Sequence, residues 1–208
     1  MARRDAERVY VGKAPGCHSW PQDKINDILV NAALQGKRVV RLKCGDPGIF
    51  ARAAEELSAL QTAGVPYEIV PGVTAASAAA ASTGAMLTDR ETTQTLVLTT
   101  GQTAEQNGTP DWIGHLRAGA NVAIYMGVQN AADIANAVEE AGLGGKVHAH
   151  IVSHAQMPGE KTVTCKPAEL PDVIGQHAIA NPAIIFLRYP RQLQIAESQD
   201  GPTKLRAI

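Results

Sequence analysis

The sequence predicts an α/β protein built from two domains. Three observations carry this reading. Short β-rich runs alternate with helical patterns along nearly the whole chain. The first of them run strand, helix, strand, helix, strand, helix, the order of parallel β with crossover helices. A polar, turn-like stretch at Leu87–Gln94 then separates them from a second alternating set. The expected division is residues 1–90, residues 91–192, and a polar tail over 193–208.

Val9–Val11 is a short strand candidate. Pro21–Leu34 reads as a helix: Ile25, Ile28, Leu29 and Ala32 recur at helical spacing, Pro21 sits at its start and Gly36 ends it. Arg38–Leu42 has the pattern of a buried strand, and Cys44–Gly48 that of a turn. Ile49–Ala63 is a second helix, ended by Gly64. Tyr67–Val70 is a strand, Pro71-Gly72 turns the chain, and Val73–Thr83 is a small-residue helix. In the second set, Thr95–Thr100 and Val122–Tyr125 read as strands around a loop at 107–111. Ala131–Ala141 is a helix ended by Gly142, and His148–Val152 and Thr162–Cys165 are strands. Pro167–His177 is a helix and Ala183–Leu187 a final strand.

Composition narrows the function. The chain has 208 residues, long enough to bury a real core without staples. Nineteen basic against twenty acidic residues leave a formal charge of −1, which gives no footprint for general nucleic-acid binding. The cysteines Cys17, Cys44 and Cys165 are odd in number and far apart, with no CxxC. They suggest neither a disulfide framework nor a zinc site, and a reducing cytoplasm fits them. No stretch approaches the ~20 apolar residues of a membrane span, and the charged N-terminus is not a signal peptide.

The strongest local feature is Arg41-Leu42-Lys43-Cys44-Gly45-Asp46-Pro47, where a strand ends and a helix begins. In open α/β sheets that carboxyl edge is where ligands bind. The turn lacks the glycine and lysine pattern of a phosphate loop, and Asp46 would repel phosphate. Asp46 either caps the following helix or meets a ribose hydroxyl, an ammonium or another cation. Val70–Ser77 is a second strand end opening a helix, where Thr74 is either an N-cap or a ligand contact. Ile124-Tyr125-Met126-Gly127 is a third. The Ala/Ser run at 75–82 either packs tightly on a sheet or admits a flat ligand. Lys13, Arg41, Lys43, Arg52 and Arg90 gather near these ends and either meet an anionic substrate or form a solvated rim. His148, His150 and His154 do not make a metal set and read as surface or packing residues.

These residues carry a resemblance. Lys43–Pro47 resembles the K-G-G-D-P loop of tetrapyrrole methylases, in particular the uroporphyrinogen-III C-methyltransferase branch, alone or as the methylase half of siroheme synthase. Arg4–Lys13 resembles that family's R-D-A-D-R-V-F-V-G-K. His18–Gln22 with Ile25-Asn26, Val70–Ser77, Leu87–Arg90, Thr100-Gly101, Asp111-Trp112 and Tyr125–Gly127 fall in family order. The resemblance spans about residues 3–190.

The resemblance implies two α/β domains, an N-terminal parallel sheet, incomplete here, and a C-terminal mixed sheet. S-adenosylmethionine would lie in the cleft between them, in a homodimer. It assigns Cys44, Gly45, Asp46, Ile49, Thr74, Ala75, Met126 and Ala155 to that cofactor, and Lys13 to proton donation. Arg41, Lys43, Arg52 and Arg90 would face an anionic tetrapyrrole. It implies no metal, no nucleic acid, no membrane, and a cytoplasmic enzyme that methylates uroporphyrinogen III at C2 and C7 to give precorrin-2.

The sequence also departs from the family. The opening strand, its G-x-G-P-G-D-P loop and a Y-D-R-L motif have no counterpart, so the expectation is a chain that starts after the first βα unit. Cys44 stands for a glycine. Ala51-Arg52-Ala53-Ala54-Glu55-Glu56 stands for G-R-G-G-E-E, and Asp89 for the histidine of L-T-H-R. The alternatives are a methylase domain that binds without turnover, and a sister methylase acting on a later corrin intermediate.

Overall fold

The computed structural model describes residues 3–12, 20–101 and 110–190. The chain forms two compact units that divide between Gly72 and Val73. The sequence-based division near residue 90 falls inside the second unit. The small-residue helix and the segment after it pack on that unit's sheet, which places them there.

Unit 1 contains helices α1 (Gln22–Leu34) and α2 (Ala53–Thr62). Ile25 and Leu29 are buried along α1, and the two helices pack on each other. Both end as their glycines predict. Gly36 and Gly64 take left-handed backbone (φ 77° and 67°). The amides of Lys37 and Val65 then reach back to the carbonyls of Ala32 and Leu60.

Helix α2 starts four residues later than the pattern suggests. Phe50 and Arg52 both have positive φ, and left-handed backbone cannot continue a right-handed helix. The strands expected at Val9–Val11, Arg38–Leu42 and Tyr67–Val70 correct the sequence reading further. Among the described residues of unit 1 there is no β-ladder. Strand propensity needs a hydrogen-bonded neighbour before it becomes a strand, and these segments have none.

Unit 2 holds one five-stranded mixed sheet in the order β1-β2-β5-β3-β4. The strands are β1 (Leu96–Thr100), β2 (Asn121–Tyr125), β3 (His148–Ser153), β4 (Lys161–Cys165) and β5 (Ala183–Arg188). β1 and β2 are parallel, and β5 runs antiparallel to both β2 and β3. The carboxyl ends of β1, β2 and β3 therefore share one edge of the sheet. β2 and β5 are buried throughout, which explains why they read as continuous apolar runs.

One face of the sheet carries α4 (Trp112–Arg117), α5 (Ala131–Glu140) and α6 (Leu170–Gln176). Trp112, Ile113, Ile134, Val138 and Leu170 pack there on Val122, Ile124, Ile151 and Ile185. The sequence reading had no helix at α4. The other face meets α3 (Ala75–Thr83), whose Ala76, Ala79 and Ala80 are buried. The small-residue run thus serves close packing, the first of its two readings. Among the described residues no helix is long and apolar enough to cross a membrane.

Under that second face lies a buried Arg188, its guanidinium 4.2 Å from the Phe186 ring centroid and donating to the Ala85 carbonyl at 3.2 Å. His150 is buried beside Phe186. Burial, with the Arg188 charge, pushes the His150 pKa down to about 4. The unfolded chain therefore takes up this proton first, near pH 6.5, and the stability of the neutral form is lost progressively as pH falls from about 6.5 to 4. Thermal melts across that range are expected to show a steeper decline for the wild type than for His150→Phe. Parallel slopes would refute this.

Candidate functional site

Unit 1 contributes the loop after Leu42. Gly45 has φ 73°, and the Ile49 amide closes a turn on the Asp46 carbonyl. The Asp46 carboxylate then accepts two amides. Oδ1 takes the Gly48 N–H at 2.7 Å and Oδ2 takes the Gly72 N–H at 2.9 Å. One side chain thus shapes its own turn and ties it to the loop after Val70. Gly72 allows this approach, since a Cβ there would stand 2.2 Å from the Gly45 carbonyl oxygen. Neither sequence reading of Asp46 described this clamp. Cys44 is exposed beside it.

Arg41, Lys43 and Arg52 of unit 1 are held by carboxylates. Glu56, 5% exposed, receives Lys43 Nζ at 2.9 Å, Arg41 Nε at 3.2 Å and Gln22 Nε2 at 3.3 Å on one oxygen. Arg52 makes two 2.6 Å bonds to Glu55 and holds that carboxyl below its ordinary range. The sequence reading missed Glu56. A glutamate in the first turn of a helix reads as solvated, and only the folded chain brings Arg41 and Lys43 to it. Lys13 lies outside the described residues.

Unit 2 contributes the edge where β1, β2 and β3 end. Gly101 follows β1, and its amide donates to the Tyr125 carbonyl at 2.7 Å. A Cβ on Gly101 would stand 2.7 Å from the Gly127 Cα, so the two loops touch through glycine. Asn130 Nδ2 donates to the Gly101 carbonyl. Met126 takes left-handed backbone (φ 53°) and is 38% exposed. Ala155 is half-buried just past β3, between His154 and Gln156, both at positive φ.

The Tyr125 hydroxyl lies 2.6 Å from Thr74 Oγ1 and accepts the Ala76 amide at 3.1 Å. It caps α3 where Thr74 does not. Thr74, Ala75, Met126 and Ala155 therefore gather at one edge of unit 2, while Cys44, Gly45, Asp46 and Ile49 share one loop of unit 1. Arg90 is exposed and makes no ion pair among the described residues. No group of three or more His, Cys, Asp or Glu among the described residues could hold a metal.

These features define an α/β protein whose residues gathered at the carboxyl ends of the unit 2 strands, Thr74, Ala75, Met126 and Ala155, are uncharged. The sequence profile of the Tetrapyrrole (Corrin/Porphyrin) Methylases matches residues 2–171, and the chain belongs to that family. Siroheme synthase of Chromobacterium violaceum is 43% identical over 187 residues, covering 90% of this chain and 40% of that protein. Siroheme synthase of Gluconacetobacter diazotrophicus is also 43% identical, over 89% of this chain and 40% of its own length. The chain thus spans about two-fifths of these curated relatives. Among solved structures, uroporphyrin-III C-methyltransferase of Thermus thermophilus complexed with S-adenosyl homocysteine has a TM-score of 0.72 and 31% identity. That match covers 94% of this chain and 80% of the other.

Replacing Glu56 by Gln removes the charge shared by Arg41 and Lys43. Breaking such a buried pairing is expected to destabilise unit 1 by about 3 kcal/mol. Arg52→Ala, at a fully exposed pair, should leave stability nearly unchanged. Urea unfolding followed by hydrogen exchange in α1 and α2 checks this. Equal effects of the two substitutions would contradict it.

Proposed function

We propose that this chain is a methyltransferase domain that binds S-adenosylmethionine and methylates uroporphyrinogen III at C2 and C7, giving precorrin-2. The observation that carries the reading is the gathering of Thr74, Ala75, Met126 and Ala155 at one strand-end edge. The 31% identity with a uroporphyrin-III C-methyltransferase supports it. The residues fit a sulfonium cofactor: the edge offers a half-exposed thioether, two alanines and a threonine, all uncharged side chains. In unit 1, the Cys44–Ile49 loop is assigned to S-adenosylmethionine by its resemblance to the family's K-G-G-D-P loop.

The bound cofactor supplies an electrophilic methyl group. The electron-rich pyrrole carbon provides the attacking pair, so the protein's tasks are positioning, exclusion of water and proton handling. Asp46 acts by fixing the loop through the Gly48 and Gly72 amides. Tyr125 fixes the start of α3, and with it Thr74 and Ala75. Arg90, exposed and without an ion pair, attracts the substrate's carboxylates. Arg41, Lys43 and Arg52 add positive potential while paired with Glu56 and Glu55. Lys13 donates a proton. The protein acts as a cytoplasmic homodimer.

The test is incubation of the purified protein with enzymatically made uroporphyrinogen III and methyl-labelled S-adenosylmethionine. Labelled tetrapyrrole is expected. Its absence, with cofactor binding shown by calorimetry, would leave a binding domain without turnover. Lys13→Met should slow methylation about a hundredfold, the scale of a lost general acid, with cofactor affinity near that of the wild type. Wild-type turnover would remove Lys13 from the mechanism.

A further inference from the structure

Ala155 lies in the loop between β3 and β4, and that loop is wound tightly. His154 and Gln156 on either side of it have left-handed backbone (φ 54° and 60°), and Gly159 follows at φ 84°. Residues that carry a side chain keep that conformation only where their surroundings impose it. At the start of the loop the main chain does so, through the His154 amide, which donates to the Pro182 carbonyl at 2.8 Å. Ser153 Oγ donates to the Ala180 carbonyl and lies 2.8 Å from His154 Nδ1. Beyond Ala155 the Gln156 amide finds no main-chain acceptor among the described residues. It donates instead to Glu160 Oε2 at 2.6 Å.

The same oxygen accepts the Ser82 hydroxyl, in the last turn of α3. Glu160 makes no ion pair among the described residues, and the neighbouring Lys161 donates to the His177 and Ala178 carbonyls. The Glu160 carboxylate therefore serves as a hydrogen-bond acceptor. Helix α3 is fastened at both ends: Tyr125 holds its start, at Thr74 and Ala76, and Glu160 holds its last turn.

We infer that Glu160 is a positioning residue for the cofactor, setting Ala155 relative to Thr74 and Ala75 by tying the loop after β3 to the far end of the helix that begins at those residues. The inference rests on the S-adenosylmethionine reading above. Glu160 is exposed and acts through Gln156 and Ser82, so its effect differs from that of a charge on the ligand. One oxygen carries both bonds, and an amide oxygen in the same place can replace it where a methyl group cannot. A displaced loop weakens the sulfonium cofactor and its neutral thioether product alike, whereas a carboxylate facing the sulfonium would favour the cation alone.

The test titrates S-adenosylmethionine and S-adenosyl homocysteine by calorimetry into the full chain and its variants. Exchange of the Gln156 amide is followed by NMR, and stability by thermal melts. Glu160→Ala is expected to weaken both ligands about tenfold, the scale of a lost hydrogen bond to a charged group, with faster exchange at Gln156. Glu160→Gln should stay close to the wild type, and Ser82→Ala should fall between. Tyr125→Phe should weaken both ligands as well, and its combination with Glu160→Ala should lose less than the product of the two, because both act through α3. Wild-type affinity in Glu160→Ala, with a lower melting temperature or faster exchange at Gln156, would overturn the inference and leave Glu160 a stabilising contact. A loss confined to S-adenosylmethionine, in Glu160→Gln as in Glu160→Ala, would also overturn it and place the carboxylate at the sulfonium. A wild-type chain that binds neither ligand would overturn the cofactor reading itself, and this inference with it.

Discussion

The spacing of two loops in unit 1 is set by one carboxylate. Asp46 accepts one amide from its own turn and one from Gly72, and so sets the spacing of two loops that are separated by more than twenty residues of chain. The geometry is unforgiving because Gly72 approaches the Gly45 carbonyl where no side chain could stand. Charge-assisted hydrogen bonds are stronger than neutral ones. A carboxylate can therefore hold this contact at an exposed site, where a neutral amide would lose one of its two acceptors. The same side chain that makes the loop look like a ligand site also builds it.

Unit 2 reaches a comparable end with different means. Its strand-end edge is set by a sheet whose two most buried strands, β2 and β5, leave little freedom to the loops at their ends. Gly101 and Gly127 let the loops after β1 and β2 touch, and Tyr125 reaches from the end of β2 to the start of α3. Met126 then projects from a left-handed turn that this packing imposes. The strand-end loops of unit 2 are thus placed by core packing, and the loops of unit 1 by ion pairs and one clamp.

The sequence was most legible where the signal is local. Gly36, Gly64 and Gly142 mark helix ends because only glycine takes left-handed backbone at no steric cost. The strands of unit 2 were legible because each finds a partner within the unit. Those of unit 1 were misread for the converse reason: Val39, Val40 and Ile69 have strand character, but pairing is not a property of one segment. The order of strand-end motifs led to the methylase family and to the edge formed by Thr74, Ala75, Met126 and Ala155. It did not reveal Glu56 as the partner of Arg41 and Lys43, because that cluster joins positions unrelated by any local spacing. Nor did it reveal Tyr125, whose hydroxyl acts fifty residues away in sequence.

The central claim is that Asp46 serves the cofactor by holding Gly72. Asp46→Asn tests it directly, because the amide keeps an oxygen for the Gly48 N–H but turns an N–H toward the Gly72 N–H. S-adenosyl homocysteine is titrated by calorimetry into both proteins, with the Gly72 amide followed by NMR. The account predicts an affinity loss of about tenfold, the scale of one charge-assisted hydrogen bond, together with a displaced and faster-exchanging Gly72 amide. An unchanged Gly72 amide with the same loss of affinity would contradict it, and would place the Asp46 carboxylate on the ligand itself.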